Sequence, residues 1–164
     1  MDEQKSSQRL RSYLSFTIAG ELFAMEVGCI IKIIEVNKFT KVPQSPPYFR
    51  GLTNFGGGVL PVMDTRIKFG FPAEAPAAIQ LVLVIEVALN EESVPMRLGI
   101  TIDEAREVFE TDISRIKDYP AAGNRYKSDY ITGVVERNNQ FVIIVDATRL
   151  FSEKDMGEIL DINH

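Results

Sequence analysis

The 164-residue chain carries 18 Lys and Arg against 23 Asp and Glu, for a formal charge of -5, and is 45% hydrophobic and 25% charged. This length builds one globular unit or two small subdomains sharing a core, and the composition excludes disordered, collagen-like and fibrous classes. The acidic balance argues against a nucleic-acid partner, whose phosphates call for clustered Lys and Arg.

Residues 1–12 are polar and charged, without the apolar run of a secretory signal, so the protein is expected in the cytoplasm, with 1–12 a flexible leader. Strand-like runs follow at 13–18, 22–27 and 30–36, and then a hairpin of 52–55 and 58–63 around Gly56-Gly57. The stretch 71–78, Phe-Pro-Ala-Glu-Ala-Pro-Ala-Ala, reads as an extended, semi-rigid linker. A second set of strands is predicted at 79–89, 96–102 and 105–109, with a hairpin of 134–137 and 140–145 around Asn138-Asn139. Both turn pairs tolerate the positive φ that two-residue hairpin turns require. A loop at 117–127, containing Pro120 and Gly123, interrupts this set. Ser152, an N-cap residue followed by Glu153 and Asp155, precedes an apolar stripe of Met156, Ile159 and Leu160 and predicts a closing helix. The most apolar run, 79–89, is far shorter than the ~20 residues of a membrane helix, so no membrane insertion is expected.

The two sets are copies. Tyr48, Gly51, Val59, Asp64 and Phe69 recur 82 positions later as Tyr130, Gly133, Phe141, Asp146 and Phe151. A weaker correspondence relates 27–35 to 102–110, 75 positions on. Two units of about five short strands each suggest two small barrels, over about 13–70 and 79–151, followed by a helix and tail at 152–164.

Candidate chemistry is sparse. The only histidine is His164, at the chain end, which removes the commonest acid–base group. The single cysteine, Cys29, excludes an internal disulfide or a thiolate zinc cluster and reads as a small apolar side chain. Gly56, Gly57 and Gly58 lack the Lys-Ser/Thr that a phosphate-binding loop requires. Asp64 and Asp146 occupy matching positions, as the proton-sharing pair of an aspartic hydrolase would. Neither begins the Asp-Thr/Ser-Gly pattern of such enzymes, and each suits a cap on the turn that follows it. Adjacent carboxylates, such as Asp103-Glu104 and Glu91-Glu92, read as solvated pairs. No catalytic residue, metal, cofactor or small-molecule substrate is therefore expected.

The residues that carry the repeat also carry a resemblance. Tyr13-Leu14-Ser15-Phe16 with Leu22-Phe23-Ala24-Met25-Glu26-Val27 looks like the opening of a CheW-type domain. The run from Gly51 through Asn54, Gly57 and Pro61-Val62 to Asp64 resembles that family's motif Gly-x-x-Asn-Leu-Arg-Gly-x-x-x-Pro-Val-x-Asp. The match continues through Leu98-Gly99-Ile100-Thr101-Ile102-Asp103 and Tyr130-Ile131-Thr132-Gly133 to Val145-Asp146, and so covers nearly all of 13–151.

The resemblance implies an all-β fold of two SH3-like five-stranded barrels, related by a pseudo-twofold around a shared apolar core, with a C-terminal helix. It implies a non-enzymatic chemotaxis adaptor, coupling the CheA histidine kinase, through its regulatory domain, to the cytoplasmic tip of chemoreceptors. Kinase binding is placed on the first barrel around Ile30, Ile33, Gly51, Leu52 and Val59, whose aliphatics suit an apolar docking patch and would equally serve the core. Receptor binding falls on Lys32, Asn54 and Gly56. Asn54 keeps the family pattern, whereas Gly56 stands where the motif has Arg, and Lys32 where many members carry Glu. Those departures fit either a specialised receptor or divergent pathway, or a better turn and a solvated strand residue. A small nucleic-acid-binding barrel and an aspartic hydrolase are the other classes weighed, and the chain is expected to be complete and stand-alone.

Overall fold

Alternation of apolar and polar residues, punctuated by Gly, Asn and Pro, produces ten strands among the described residues of the computed structural model, which are 9–75, 77–88, 94–119, 129–151 and 157. They are β1 (Leu10–Ile18), β2 (Glu21–Glu26), β3 (Ile30–Val36), β4 (Phe49–Phe55), β5 (Gly58–Met63), β6 (Gln80–Val87), β7 (Met96–Ile102), β8 (Glu104–Asp112), β9 (Ile131–Arg137) and β10 (Gln140–Val145). One short helix, α1 (Thr65–Lys68), follows β5. The hairpin turns take the expected left-handed backbone, with φ of 58° and 78° at Gly56 and Gly57 and of 51° and 63° at Asn138 and Asn139. β1 starts within the stretch expected to be a flexible leader, because Leu10, Arg11 and Ser12 pair with Asp112, Thr111 and Glu110. The closing helix predicted from Ser152 lies, except for Gly157, outside the described residues.

The strands form two five-stranded sheets, ordered β8-β1-β2-β10-β9 and β3-β6-β7-β5-β4. The sheets therefore do not divide at the linker, as boundaries at 13–70 and 79–151 would require. β1 and β2 complete the sheet of β8–β10, and β6 and β7 complete that of β3–β5. The connections explain why. β7 and β8 are separated by Asp103 alone, too little for a hairpin, and Val27–Cys29 forms a tight 3₁₀ turn between β2 and β3. At both points the chain steps into the other sheet.

Each sheet then closes on itself. Thr40 and Leu52 exchange backbone hydrogen bonds of 2.8 Å in both directions, and Lys117 and Val134 do the same, also at 2.8 Å. The residue before each closing position is a repeat glycine, Gly51 or Gly133. A Cβ on Gly51 would stand 2.9 Å from both Phe39 Cβ and Thr40 O, and its φ is +144°. A Cβ on Gly133 would lie 2.5 Å from Ile116 Cγ2 and 2.7 Å from Lys117 O. The repeated glycine is therefore the condition for closing either barrel.

Three apolar clusters result. Val36, Leu60, Val62, Val82 and Val84 fill the barrel of β3–β7, and Tyr13, Ala24, Phe109, Val135, Val142 and Ile144 fill the other. The largest cluster, which includes Leu14, Phe16, Phe23, Met63, Leu83, Ile85, Leu98, Ile100, Ile143 and Phe151, lies between the barrels. β6 shows the division: Val82 and Val84 point into its own barrel while Leu83 and Ile85 point to the junction. Burial on both faces is why this strand reads as an unbroken apolar run.

Gly133→Ala and Gly51→Ala should each cost about 1–3 kcal/mol of unfolding free energy through overpacking at the closure. Gly28→Ala, where a Cβ meets nothing within 4 Å, should stay within about 0.5 kcal/mol. Urea midpoints of the three variants check this.

Candidate docking surface

The repeat residues converge at the junction. Tyr48 of the first copy meets Phe151 of the second, with ring centroids 5.9 Å apart, and Phe69 of the first stacks on Tyr130 of the second at 5.0 Å. Each tyrosine also anchors the aspartate of its own copy: Asp64 N–H donates to Tyr48 O at 2.6 Å and Asp146 N–H to Tyr130 O at 2.8 Å. The aspartate carboxylates act as caps. Asp64 Oδ1 accepts from Arg66 N at 3.0 Å and Ile67 N at 3.3 Å, and Asp146 Oδ1 accepts from Thr148 N at 2.9 Å and Thr148 Oγ1 at 2.6 Å. They line separate clefts, of about 630 Å³ and about 600 Å³. A proton-sharing pair of carboxylates has to face across one cleft, so the hydrolase alternative is incompatible with this geometry.

The outer face of the β4–β5 hairpin gathers three of the predicted site residues. Asn54 lies opposite Val59, and Leu52 opposite Pro61, whereas Leu60 and Val62 on the alternate positions point into the barrel. Val59 is 64% exposed, an apolar side chain on a strand with little over it. Asn54 and Gly56 are also exposed, Gly56 in the turn itself. Leu52 is half-buried and packs on the junction cluster, as do Ile30 and Ile33. β3, which carries Ile30, Lys32 and Ile33, lies at the far edge of the sheet from β4 in strand order, and the Thr40–Leu52 closure brings that edge round to the hairpin. Gly51 is buried at the closure. Lys32 is exposed on β3, and none of the described ion pairs includes it.

Other exposed apolar side chains on the strands lie outside the sequence-based set, Phe141 and Val108 foremost among them. Phe141, the repeat partner of Val59, is 66% exposed opposite Glu136, and Val108 on β8 is 65% exposed. The repeat alignment held the signal for Phe141, since it pairs that residue with Val59.

Cys29 is half-buried, and its thiol donates to Glu26 O at 3.1 Å. Burial, with smaller repulsion from Glu26 and Asp146, pushes its pKa up to about 11. The described residues contain no group of three His, Cys, Asp or Glu able to hold a metal ion, and no helix long and apolar enough to cross a membrane.

Two closed five-stranded barrels, interlocked around an apolar junction and carrying capping rather than facing aspartates, define an SH3-like double-barrel scaffold. The family model described as CheW-like domain matches residues 12–155, and the chain belongs to that family of non-catalytic adaptors. It is similar to the chemotaxis protein CheW of Klebsiella aerogenes, 23% identical over 147 residues that cover 90% of this chain and 85% of that one. It is likewise similar to the chemotaxis protein CheW of Bacillus subtilis, 25% identical over 139 residues, covering 85% of each. Among solved structures, the scaffolding protein TtCheW from Thermoanaerobacter tengcongensis has the same fold, with a TM-score of 0.75 at 20% identity over 88% of this chain and 94% of that one.

The Cys29 thiol should resist disulfide reagents at pH 8 in the folded protein and react freely in denaturant. Because the folded-state pKa is raised above the unfolded one, Cys29 favours the fold below pH 9, and that contribution fades as pH rises from about 9 to about 11. Thiolate absorbance should accordingly titrate near pH 11 in the folded protein.

Proposed function

We propose that this chain is a cytoplasmic chemotaxis adaptor that couples a CheA-type histidine kinase, through its regulatory domain, to the cytoplasmic tip of chemoreceptors by protein contacts alone. The observation that carries this reading beyond family membership is Val59, an aliphatic residue exposed on the outer face of a rigid hairpin. Apolar anchors in such positions contribute most when a partner covers them, because they lose water without having to be ordered first. Val59 is the kinase-docking anchor in this reading, with Leu52 as the half-buried floor beside it. Ile30 and Ile33 contribute the area that the junction cluster leaves open, and Gly51 supports the face by allowing the barrel to close.

Lys32, Asn54 and Gly56 form the receptor contact. With Lys where many family members carry Glu and no Arg in the turn, the matching receptor surface carries an acidic group opposite Lys32. That complementarity fits a specialised receptor or a parallel array, and acts chiefly through partner choice.

Val59→Asp should abolish saturable binding of a purified CheA regulatory domain in calorimetry while leaving the urea midpoint within error of the parent. Unchanged binding by this folded variant would remove the hairpin face from the kinase contact. Val59 is a cleaner probe than Leu52, whose replacement would also disturb the junction. Lys32→Glu should strengthen binding to a receptor tip of the common type by about tenfold, equivalent to about 1.4 kcal/mol. Equal binding by the parent and this variant would assign Lys32 to solvent.

A further inference from the structure

Each half of the chain leaves its own barrel incomplete. The first repeat supplies β1–β5 and the second β6–β10, yet the ladders β1·β8, β2·β10, β3·β6 and β5·β7 all run between repeats. The side-chain ties at the crossovers do so as well. Arg66 of the first repeat donates to Asp103 Oδ2 of the second at 2.8 Å, and the same oxygen accepts from Ala19 N–H of the first at 2.8 Å. Ser15 Oγ donates to Glu107 O and accepts from Glu107 N–H, both at 3.1 Å, where the β1·β8 register shifts. The two aromatic contacts, Tyr48–Phe151 and Phe69–Tyr130, again join one copy to the other.

Against this dense set of contacts, the covalent link between repeats is slight. Phe71 is buried in the junction, but the described residues from Pro72 to Ile79 are all exposed, and the Arg66–Glu74 ion pair at 3.3 Å ends on a glutamate side chain that is 66% exposed. Fully extended, eight residues reach about 26 Å. The contacts that hold the repeats together do not depend on which chain contributes each of them.

We propose that a second copy of this chain can supply either repeat. Two chains exchange repeats about the 72–79 linker to give a dimer in which each barrel pair combines β1–β5 of one chain with β6–β10 of the other. Every ladder, closure and aromatic contact is kept, and only the course of the linker changes. The dimer displays each docking face twice. The exchange does not depend on which partner either docking face takes.

The test starts from the full chain, unfolded in denaturant and refolded at low and high protein concentration, with mass read by light scattering. At high concentration a two-chain species should form, with doubled mass and the monomer's circular dichroism, and it should persist on dilution because its release requires both barrels to open. A version with a protease site inserted between Ala77 and Ala78 is then co-refolded from isotope-labelled and unlabelled chains. Cutting the linker of its two-chain species should return the mass to that of one chain, with native mass spectrometry finding labelled and unlabelled repeats in the same unit. Absence of a two-chain species from the unmodified chain at every concentration overturns the proposal. So does a two-chain species that keeps its mass after the cut, or that yields units of like-labelled repeats only.

Discussion

Neither half of the chain can close a barrel alone, and most other features follow from this constraint. Because β1–β2 and β6–β7 each complete the barrel of the opposite repeat, the junction between barrels is made as the barrels form. The residues kept at a spacing of 82 are those this arrangement needs twice. A glycine lets the closing strand approach within hydrogen-bond distance, an aspartate caps the turn that ends the hairpin, and a tyrosine and a phenylalanine meet their counterparts across the junction. Aromatic pairs of this kind add about 0.5–1.5 kcal/mol each beyond their buried area. Their larger effect is geometric, since each pair forms only when both repeats are in register.

The same constraint determines where apolar surface remains. The junction covers the outer faces of β6 and β7, so Leu83, Ile85, Leu98 and Ile100 are buried although they point away from their own barrel. Its cover ends at the flanks, leaving Ile30, Ile33 and Leu52 half-buried. Beyond that reach stand Val59 and Phe141, equivalent positions on equivalent hairpins. Exposed apolar side chains are common singly, but two that share one pseudo-symmetric location are a property of the architecture.

What the sequence showed, and what it hid, divides along the range of the interactions. All ten strands and both turns were legible, because alternation and positive-φ residues are local signals. The capping role of Asp64 and Asp146 was legible for the same reason. Sheet membership was not. Nothing in 22–27 says that its neighbours are β1 and β10, and that information lies in the brevity of the Asp103 and Val27–Cys29 connections. Whether Ile30, Ile33 and Leu52 serve the core or a partner was open for a related reason: alternation places them on the outer face, and only the packed junction decides how much of that face is covered. Phe141 and Val108 escaped notice because exposure is set by what fails to cover a residue, which has no local signature.

Lys32, proposed above to meet the receptor, gains a physical meaning from comparing the two barrels. Its equivalent 75 residues on is Glu107, and the equivalent of Phe55, 82 residues on, is Arg137. In the barrel of β8–β10, Arg137 donates from Nη2 to Glu107 Oε1 at 3.3 Å and lies 4.3 Å above the Phe109 ring, so charge is matched within the protein. In the barrel of β3–β7, Phe55 fills that place and packs on the interior cluster of Val36, Leu60, Val62, Val82 and Val84. An aromatic side chain cannot neutralise a neighbouring charge as Arg137 does, and none of the described ion pairs includes Lys32. At this position the second barrel pairs its charge internally, whereas the first, which carries the Val59 hairpin, leaves Lys32 in solvent. Exposed charges of this kind cost the fold nothing and contribute to recognition only when the partner supplies the opposite sign. The asymmetry between two otherwise equivalent barrels therefore falls on Lys32, the position proposed above for receptor contact.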